Sequence, residues 1–275
     1  MKKTLLLLAF LAGSTCFAQA KITINSADAK KTYMGKEFSI SPADSTISFS
    51  DKKITISANT EGVEYKVSGY FNGRIVVTTK NTVLKLSDCY IENTEGEPAI
   101  FCQAKAEISS TDGTINYIVS SGKKNSEEKY AALQGRKNLV LGGSGTLYID
   151  GAVYHGIKAD DVKIKGSGSL YAQGTARGAA LNCSSLTVEK DKTFKAYFIN
   201  SKNGIKADNT ITISSGNFYF YNNGTALKTD TSKDSPKEKH GIALYGGVIH
   251  SEGNEVLHST DNKAFLLRGA KIIGE

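Results

Sequence analysis

Tyrosine side chains recur at a nearly constant interval in this 275-residue sequence. When the tetrads 145–148, 168–171 and 216–219 are aligned, their tyrosines fall in one outward column. The full predicted column contains Tyr90, Asn116, Tyr148, Tyr171, Lys195, Tyr219 and His250. The next outward position on the same strands is predicted to contain Glu92, Asp150, Gln173, Tyr197, Tyr221 and Glu252. Flat, amphipathic rings at regular spacing could stack on sugar faces. Tyrosines also favour strands and could simply stack on one another, so the pattern leaves both interpretations open.

A second outward column carries charged side chains. Its pairs are Lys158/Asp160, Asn182/Ser184, Lys206/Asp208 and Lys228/Asp230. Carboxylates at fixed spacing can hold Ca²⁺, and lysines such as Lys158, Lys206 and the tyrosine-column Lys195 can pair with the carboxylates of uronic acids. The adjacent Asp160 and Asp161, with Asp208, are the metal candidates. The alternative is a row of surface ion pairs, each of little energetic value.

These columns require a repeating architecture to position them. The sequence GIKAD occurs at 156–160 and again at 204–208, 48 positions apart, and the tetrads that begin at 145, 168, 192 and 216 are spaced by 23, 24 and 24 residues. Alternating apolar and polar runs such as 162–165 indicate short strands. Repeats of this length, made only of strands and turns, predict an all-β solenoid: a single-stranded, right-handed parallel β-helix. The charged stretches 121–130 and 230–240 are predicted loops.

The same register predicts the core, because stacked repeats place like residues ~4.8 Å apart in ladders. One predicted inward ladder contains Ile100, Leu133, Ile157, Leu181, Ile205 and Leu227. A second ladder accepts only small side chains and contains Cys102, Gly135, Ala159, Cys183, Ala207 and Thr229. Cys102 and Cys183 are three repeats apart on this ladder, too far for a disulfide. We therefore expect them, and Cys89, to be buried thiols.

The N-terminal residues 1–20 have the features of a secretory signal. Two lysines precede the apolar run 5–11, and small residues end at Ala20, after which we expect cleavage. Lipidation at Cys16 is a competing interpretation, weakened by the preceding Thr15. We expect a secreted, periplasmic or cell-surface protein, with no further segment able to span a membrane. Residues 21–44 are predicted to cap a single β-helix domain over 45–275.

The charge restricts the class of partner. Removal of Lys2 and Lys3 with the signal lowers the formal net charge from +7 to +5. This mildly basic, dispersed charge does not indicate a nucleic-acid-binding protein. It is compatible with an anionic polymer.

Several motifs, taken in order, resemble a known family. The stretches "KITISANTEGVEYKVSGYFNGRIVV", "PAIFCQAKAEISSTDGTIN" and "NGIKADNTITISSGNFYFYNNGTALKTD" are similar to a bacterial family of secreted carbohydrate-binding domains. The resemblance covers roughly residues 44–262. It implies the right-handed β-helix of pectate lyases, binding of acidic, pectin-like polysaccharide with calcium on the solenoid, and no established catalysis. The chain departs from the family pattern at 177–184, where the acidic form of the repeat is lost.

Three functional interpretations remain at this stage: a binding module, a polysaccharide lyase or hydrolase, and an adhesin without a sugar ligand. A lyase needs a base and a cation beside the uronate carboxylate, and a glycosidase needs paired carboxylates. No such constellation stands out, so the sequence favours non-catalytic binding without deciding the question. We expect a monomer whose partner is an acidic polysaccharide and whose one possible cofactor is Ca²⁺. The predicted sugar-binding residues are Tyr90, Tyr148, Tyr171, Lys195, Tyr197, Tyr219, Tyr221, Lys158 and Lys206.

Overall fold

A computed structural model describes residues 26–42, 46–58, 60–122, 128–191, 193–230, 241–260 and 265–274. These residues form an all-β fold with one short helix, α1 (Ser26–Tyr33), and a mixed sheet. The strands of the first half are β1 (Ser39–Ser41), β2 (Ile47–Ser50), β3 (Lys53–Ile56), β4 (Glu64–Asn72), β5 (Arg74–Val77), β6 (Thr82–Asn93), β7 (Ile100–Cys102), β8 (Ala106–Ser110), β9 (Ile115–Ser120), β10 (Ala131–Gly135) and β11 (Leu139–Gly143). Those of the second half are β12 (Thr146–Gly151), β13 (His155–Ile164), β14 (Ser169–Gln173), β15 (Ala179–Val188), β16 (Lys195–Ile199), β17 (Asn203–Ile213), β18 (Asn217–Thr229), β19 (Gly241–Leu244), β20 (Val248–Ser259), β21 (Leu266–Leu267) and β22 (Lys271–Gly274).

The strands pair in three columns, and each repeat of the chain contributes one segment to each column. The lysine column contains β3, β5, β7, β10, the first parts of β13, β15 and β17, and the last parts of β18 and β20. The tyrosine column contains the second parts of β4 and β6, then β9, β12, β14, β16, the first parts of β18 and β20, and β22. The third column contains the first parts of β4 and β6, then β8, β11, the second parts of β13, β15 and β17, and finally β19 and β21.

Pairing within the columns is parallel, except at the N-terminal end. There, β1 pairs antiparallel with β4, and β2 pairs antiparallel with β3. The helix α1 packs on the side of the molecule against the tyrosine column, where it contacts β6. Residues 1–25, which contain the predicted signal and Cys16, lie outside the described residues, as do 123–127 and 231–240 of the two predicted loops. Within the described ranges, no helix has the length and apolar character required to cross a bilayer.

Both inward ladders predicted from the sequence are confirmed. Ile157 pairs with Leu181, which pairs with Ile205, so these two steps of the ladder are 24 residues each. All members of this ladder are fully buried. The small-residue ladder is also correct, since Ala159 pairs with Cys183 and a Cβ on Gly135 would lie 3.2 Å from the Ala159 Cβ. The three described cysteines are free and buried, and burial raises the pKa of the Cys102 thiol to about 12.

Candidate functional site

The tyrosine column has a different membership from the predicted one. Tyr148 pairs with Tyr117, not Asn116, and Tyr171 pairs with Tyr197, not Lys195. The observed column contains Tyr70, Tyr90, Tyr117, Tyr148, Tyr171, Tyr197, Tyr219 and His250. The prediction for Lys195 in this column is therefore wrong: Lys195 pairs with Ser169 and Asn217, two positions earlier on its strand. Tyr221 does lie at the next outward position, beside Ile199 and Glu252.

The error has a local cause. The predicted tetrads begin at 145, 168, 192 and 216, but Phe194 lies opposite Gly168. Lys195 pairs with Ser169, and its N–H donates to the Gly168 carbonyl at 3.2 Å. Aligning the buried alternate positions instead, Leu170 with Ala196 and Ala172 with Phe198, places Tyr171 opposite Tyr197. The same procedure would have found Tyr117, which was missed.

From Tyr117 to His250 the rings of this column stack directly on one another. Their centroids are 4.4 to 4.8 Å apart, and their planes differ by 3° to 19°. A ring in the middle of such a stack has both faces covered by its neighbours. Only ring edges and hydroxyl groups are then available, so a sugar cannot lie flat on Tyr148, Tyr171, Tyr197 or Tyr219. Burial raises the pKa of Tyr197 to about 12, so its hydroxyl stays protonated even at moderately alkaline pH.

The helix α1 covers the upstream end of the column. Tyr90 is only 1% exposed, and its hydroxyl donates to the Ser26 carbonyl at 2.8 Å. Tyr33 packs against Tyr90 and donates its hydroxyl hydrogen bond to the Ile115 carbonyl at 2.6 Å. Tyr90 is therefore a core residue under a helix in this structure, contrary to its prediction as a sugar contact. A non-local cover of this kind leaves no signal in the repeat.

The helix also buries acidic groups. The Ser26 hydroxyl donates to Asp150 at 2.8 Å, and Lys30 forms an ion pair with Glu92 at 2.5 Å. Burial raises the pKa of Asp150, opposed by hydrogen bonds from Gln173 and Ser26. These carboxylates hold α1 on the column and are not exposed to a polymer.

The lysine column has an open, basic surface. Lys158 pairs with Asn182, Asn182 with Lys206, and Lys206 with Lys228, as the sequence predicts. Two clefts of about 500 and 470 Å³ lie along this column and share Lys129 and Lys158. Their linings contain nine basic side chains: Lys53, Arg74, Lys129, Arg136, Lys158, Arg177, Lys202, Lys206 and Lys228. The three acidic side chains in the linings are Glu128, Asp208 and Asp230. We call these two neighbouring clefts together the basic groove.

The upstream half of the basic groove has an aromatic floor. The guanidinium carbons of Arg74 and Arg136 lie 4.7 and 5.3 Å from the centre of the Phe101 ring. Cation–π contact holds planar guanidinium groups in place, and such groups can form paired hydrogen bonds with a carboxylate. Arg74 is also held by Glu97 at 3.0 Å. Neither arginine was predicted as a binding residue, since turns and strands from different repeats bring them together.

The downstream half contains the predicted lysines and a buried histidine. Asp230 binds both Lys206 at 2.8 Å and Lys228 at 3.3 Å, and these lysines hold the pKa of Asp230 below its usual value against the effect of burial. His155 accepts a hydrogen bond on Nδ1 from the Ala179 N–H at 3.0 Å. Burial, aided by the charge on Lys158, lowers the pKa of His155 to about 3. The ring is thus neutral at physiological pH.

Two of the predicted metal ligands can be placed by their neighbours. Asp160 lies on the surface, 3.9 Å from the Lys137 amine, while Asp208 lines the basic groove. Burial raises the pKa of Asp208, and the charge on Lys206 opposes this shift. In the part of the chain that the structure describes, no group of three or more His, Cys, Asp or Glu side chains could hold a metal ion. Calcium binding by Asp160, Asp161 and Asp208 remains a prediction.

Comparisons with known proteins found a family match over part of the chain and one solved structure with a similar fold. Residues 50–162 match the model of a family described as carbohydrate-binding domain-containing protein, a range that includes Arg74, Phe101 and Lys158. A search of curated proteins gave no match. A solved structure, the polysaccharide lyase-like protein from C. thermocellum as a gadolinium derivative, is similar with a TM-score of 0.55. The two chains are 20% identical, and the similarity covers 84% of this chain and 88% of that chain. At this identity the likeness is one of fold.

Proposed function

We propose that this protein is a secreted, non-catalytic polysaccharide-binding protein whose basic groove binds an acidic, pectin-like glycan. The observation that carries the proposal is the composition of the groove, in which nine basic side chains accompany three acidic ones. The family match over residues 50–162 supports a carbohydrate as the ligand. A groove with this excess of positive charge raises the local concentration of an anionic polymer.

The proposed scaffold is a single-stranded, right-handed parallel β-helix. Support comes from the parallel pairing of each segment with its equivalent one repeat later, as in Ile157, Leu181 and Ile205. A chain that returns to each of three columns once per repeat winds as a solenoid. Crossover connections between parallel strands are right-handed in nearly all proteins, which supports the proposed hand.

The geometry of the lysine column suits an extended polymer. Successive rungs lie ~4.8 Å apart, and basic groups occur on several of them, from Arg74 to Lys228. A polymer lying along the column would meet these groups in turn, so that individually weak contacts would act together. This distinguishes the basic groove from a closed pocket for a small molecule.

Calcium fits the proposal best as a bridge between protein and polymer. Asp208 in the groove supplies one carboxylate, whereas Ca²⁺ prefers six to eight oxygen ligands. A uronan could supply the remaining carboxylates. Under this proposal calcium strengthens polymer binding but has little effect on the protein alone, and Asp208→Ala reduces the calcium effect.

A polysaccharide lyase is the competing function, because the similar solved structure is described as lyase-like. Elimination requires a base beside the sugar's acidic C–H and a cation beside its carboxylate. The groove lysines could occupy both positions. Incubation with polygalacturonate distinguishes the two functions: a lyase produces an unsaturated product that absorbs in the ultraviolet, and a binding protein does not.

The decisive experiment compares two double variants in their affinity for polygalacturonate. Lys158→Ala/Lys206→Ala removes two charges from the groove, and Lys85→Ala/Lys163→Ala removes two charges from the third column, where they pair with Glu64 and Glu189. Each lost lysine–carboxylate contact is worth about 1 kcal/mol, so the groove variant should bind about tenfold or more weakly. The control should bind nearly as the parent. Equal affinities for the two variants would refute the groove as the binding site.

A further inference from the structure

A second groove lies at the corner where the third column meets the tyrosine column. It has a volume of about 450 Å³ and lies near the downstream end of the described fold. Its wall includes Tyr245, in the turn between β19 and β20, together with Lys190 and Lys271. None of these residues belongs to the basic groove.

Tyr245 differs from the tyrosines of the column in its environment. It is 47% exposed, and among the described residues no aromatic ring stacks on it. The rings from Tyr148 to Tyr219 have neighbours on both faces, whereas almost half of the Tyr245 surface is exposed at the groove. An exposed aromatic face is the surface on which the apolar side of a pyranose ring packs.

The bare floor of this groove follows from its glycines. Gly216 and Gly247 have φ of +103° and +88°, in the region that favours glycine. A Cβ on Gly247 would lie 2.5 Å from the Gly216 carbonyl oxygen, so the stacked turns require glycine here. Without side chains at these positions, a flat ligand can lie close to the backbone beside Tyr245.

The charge of the groove selects the ligand. Lys190 and Lys271 line it, and the lining contains no described carboxylate. Two lysines and an exposed aromatic ring match the two sides of a uronic acid residue, which has an apolar pyranose face and a carboxylate. We infer that this corner groove is a second binding site, for one uronic acid residue, with Tyr245 as the stacking platform and Lys190 or Lys271 as the partner of the carboxylate.

The choice of a uronic acid rests on the proposed function, whereas the site itself rests on the geometry of the corner. The two sites lie on different parts of the molecule, so one protein could hold two polymer strands, or two segments of one strand. A short oligogalacturonate should therefore bind the parent with a stoichiometry of two. Isothermal titration calorimetry of the protein with this oligogalacturonate measures the number of sites separately from their affinities.

The test compares Tyr245→Ala with Phe49→Ala and Tyr245→Phe. Phe49 is 62% exposed and lines neither groove, so its removal controls for loss of an exposed ring. Tyr245→Ala should lose the second site or weaken it about five- to tenfold, whereas Tyr245→Phe keeps the ring and should retain it. A Tyr245→Ala protein with the stoichiometry and affinities of Phe49→Ala overturns the inference.

The groove variant separates this inference from the proposed function. Lys158→Ala/Lys206→Ala should retain the corner site and lose affinity at the other. Loss confined to Tyr245→Ala would support the corner site and refute the basic groove. Loss of binding confined to Lys158→Ala/Lys206→Ala would support the basic groove and refute the corner site. A parent protein that binds no oligogalacturonate would refute both sites.

Discussion

The tyrosine column and the lysine column are built by the same repeat, yet they present very different surfaces. In the tyrosine column, like side chains attract: the rings from Tyr117 to His250 stack on one another, and the column rings from Tyr148 to Tyr219 are covered on both faces. In the lysine column, like charges repel at successive rungs, and Lys206 and Lys228 are held by a shared Asp230. A regular ladder of one residue type therefore does not by itself indicate a binding face. A ladder of like charges is the better candidate, because its members cannot bind one another and need an oppositely charged partner.

The two columns also differ in how burial shifts the pKa of a titratable group, because it lowers the pKa of a histidine in one and raises the pKa of an aspartate in the other. On the lysine side, burial and the charge on Lys158 lower the pKa of His155. On the tyrosine side, burial beneath α1 raises the pKa of Asp150, so the fold retains the Asp150 proton more strongly than the unfolded chain. The contribution of His155 to the free energy of unfolding is lost on acidification, whereas that of Asp150 is lost as the pH rises.

The largest predicted effect is the acid sensitivity due to His155. Its pKa is about 3 in the fold and about 6.5 when unfolded, so below pH 6.5 the unfolded chain binds the proton more readily. The free energy of unfolding should fall by up to ~1.4 kcal/mol per pH unit from pH 6.5 toward pH 3. About one pH unit above 6.5 the ring is almost entirely neutral in both states and adds little pH dependence.

The measurement is a series of urea denaturation curves across this pH range. His155→Asn provides the comparison, because its side-chain oxygen can accept the Ala179 N–H without titrating. This variant should be less stable at pH 7 but should show a shallower loss toward acid. An identical slope in the two proteins would mean that another group sets the acid sensitivity.

A smaller effect is expected in the tyrosine column. Tyr171→Ala removes the ring that stacks on Tyr148 at 4.5 Å and on Tyr197 at 4.4 Å. Each aromatic pair is worth about 0.5–1.5 kcal/mol beyond the area that it buries. The variant should therefore lose about 2–3 kcal/mol of unfolding free energy in denaturant, while Tyr171→Phe should lose much less.

The same variant sharpens the comparison between the two columns. At a temperature where it remains folded, Tyr171→Ala should bind polygalacturonate with the affinity of the parent. Weak binding by a fully folded Tyr171→Ala protein would return the sugar-binding role to the tyrosine column through its ring edges and hydroxyls.

The core was predictable from the sequence because every inward position is constrained on every rung. Ile157, Leu181 and Ile205 must be apolar, and Ala159 and Cys183 must be small, so their spacing alone recovered the register. The register of Lys158, Asn182 and Lys206 was correct because these residues immediately follow or precede such core positions.

Outward features were harder to predict for identifiable reasons. Variation in the turns led the sequence pattern to assign Asn116 and Lys195 to the tyrosine column. In the structure, Asn116 pairs with Leu147 and is fully buried, and Lys195 pairs with Ser169. The cover over Tyr90 comes from a helix more than 55 residues upstream, as its hydrogen bond to Ser26 shows. The basic groove combines strand lysines with Arg177 and Lys202 from turns, which no single column contains.

The smallest predicted effect concerns Lys195, which the sequence placed among the stacked tyrosines. The side chain is exposed, and its residue pairs with Ser169 and Asn217, two positions away from the ring of Tyr197. It lines neither the basic groove nor the corner groove. Lys195→Ala should therefore change the unfolding free energy by no more than about 0.5 kcal/mol, as surface substitutions usually do. Its affinity for polygalacturonate at moderate salt should equal that of the parent, in contrast to Lys158→Ala, which removes the same charge from the groove. If the two single variants lose equal affinity, the polymer responds to the overall charge of the protein and not to the position of the lysine column.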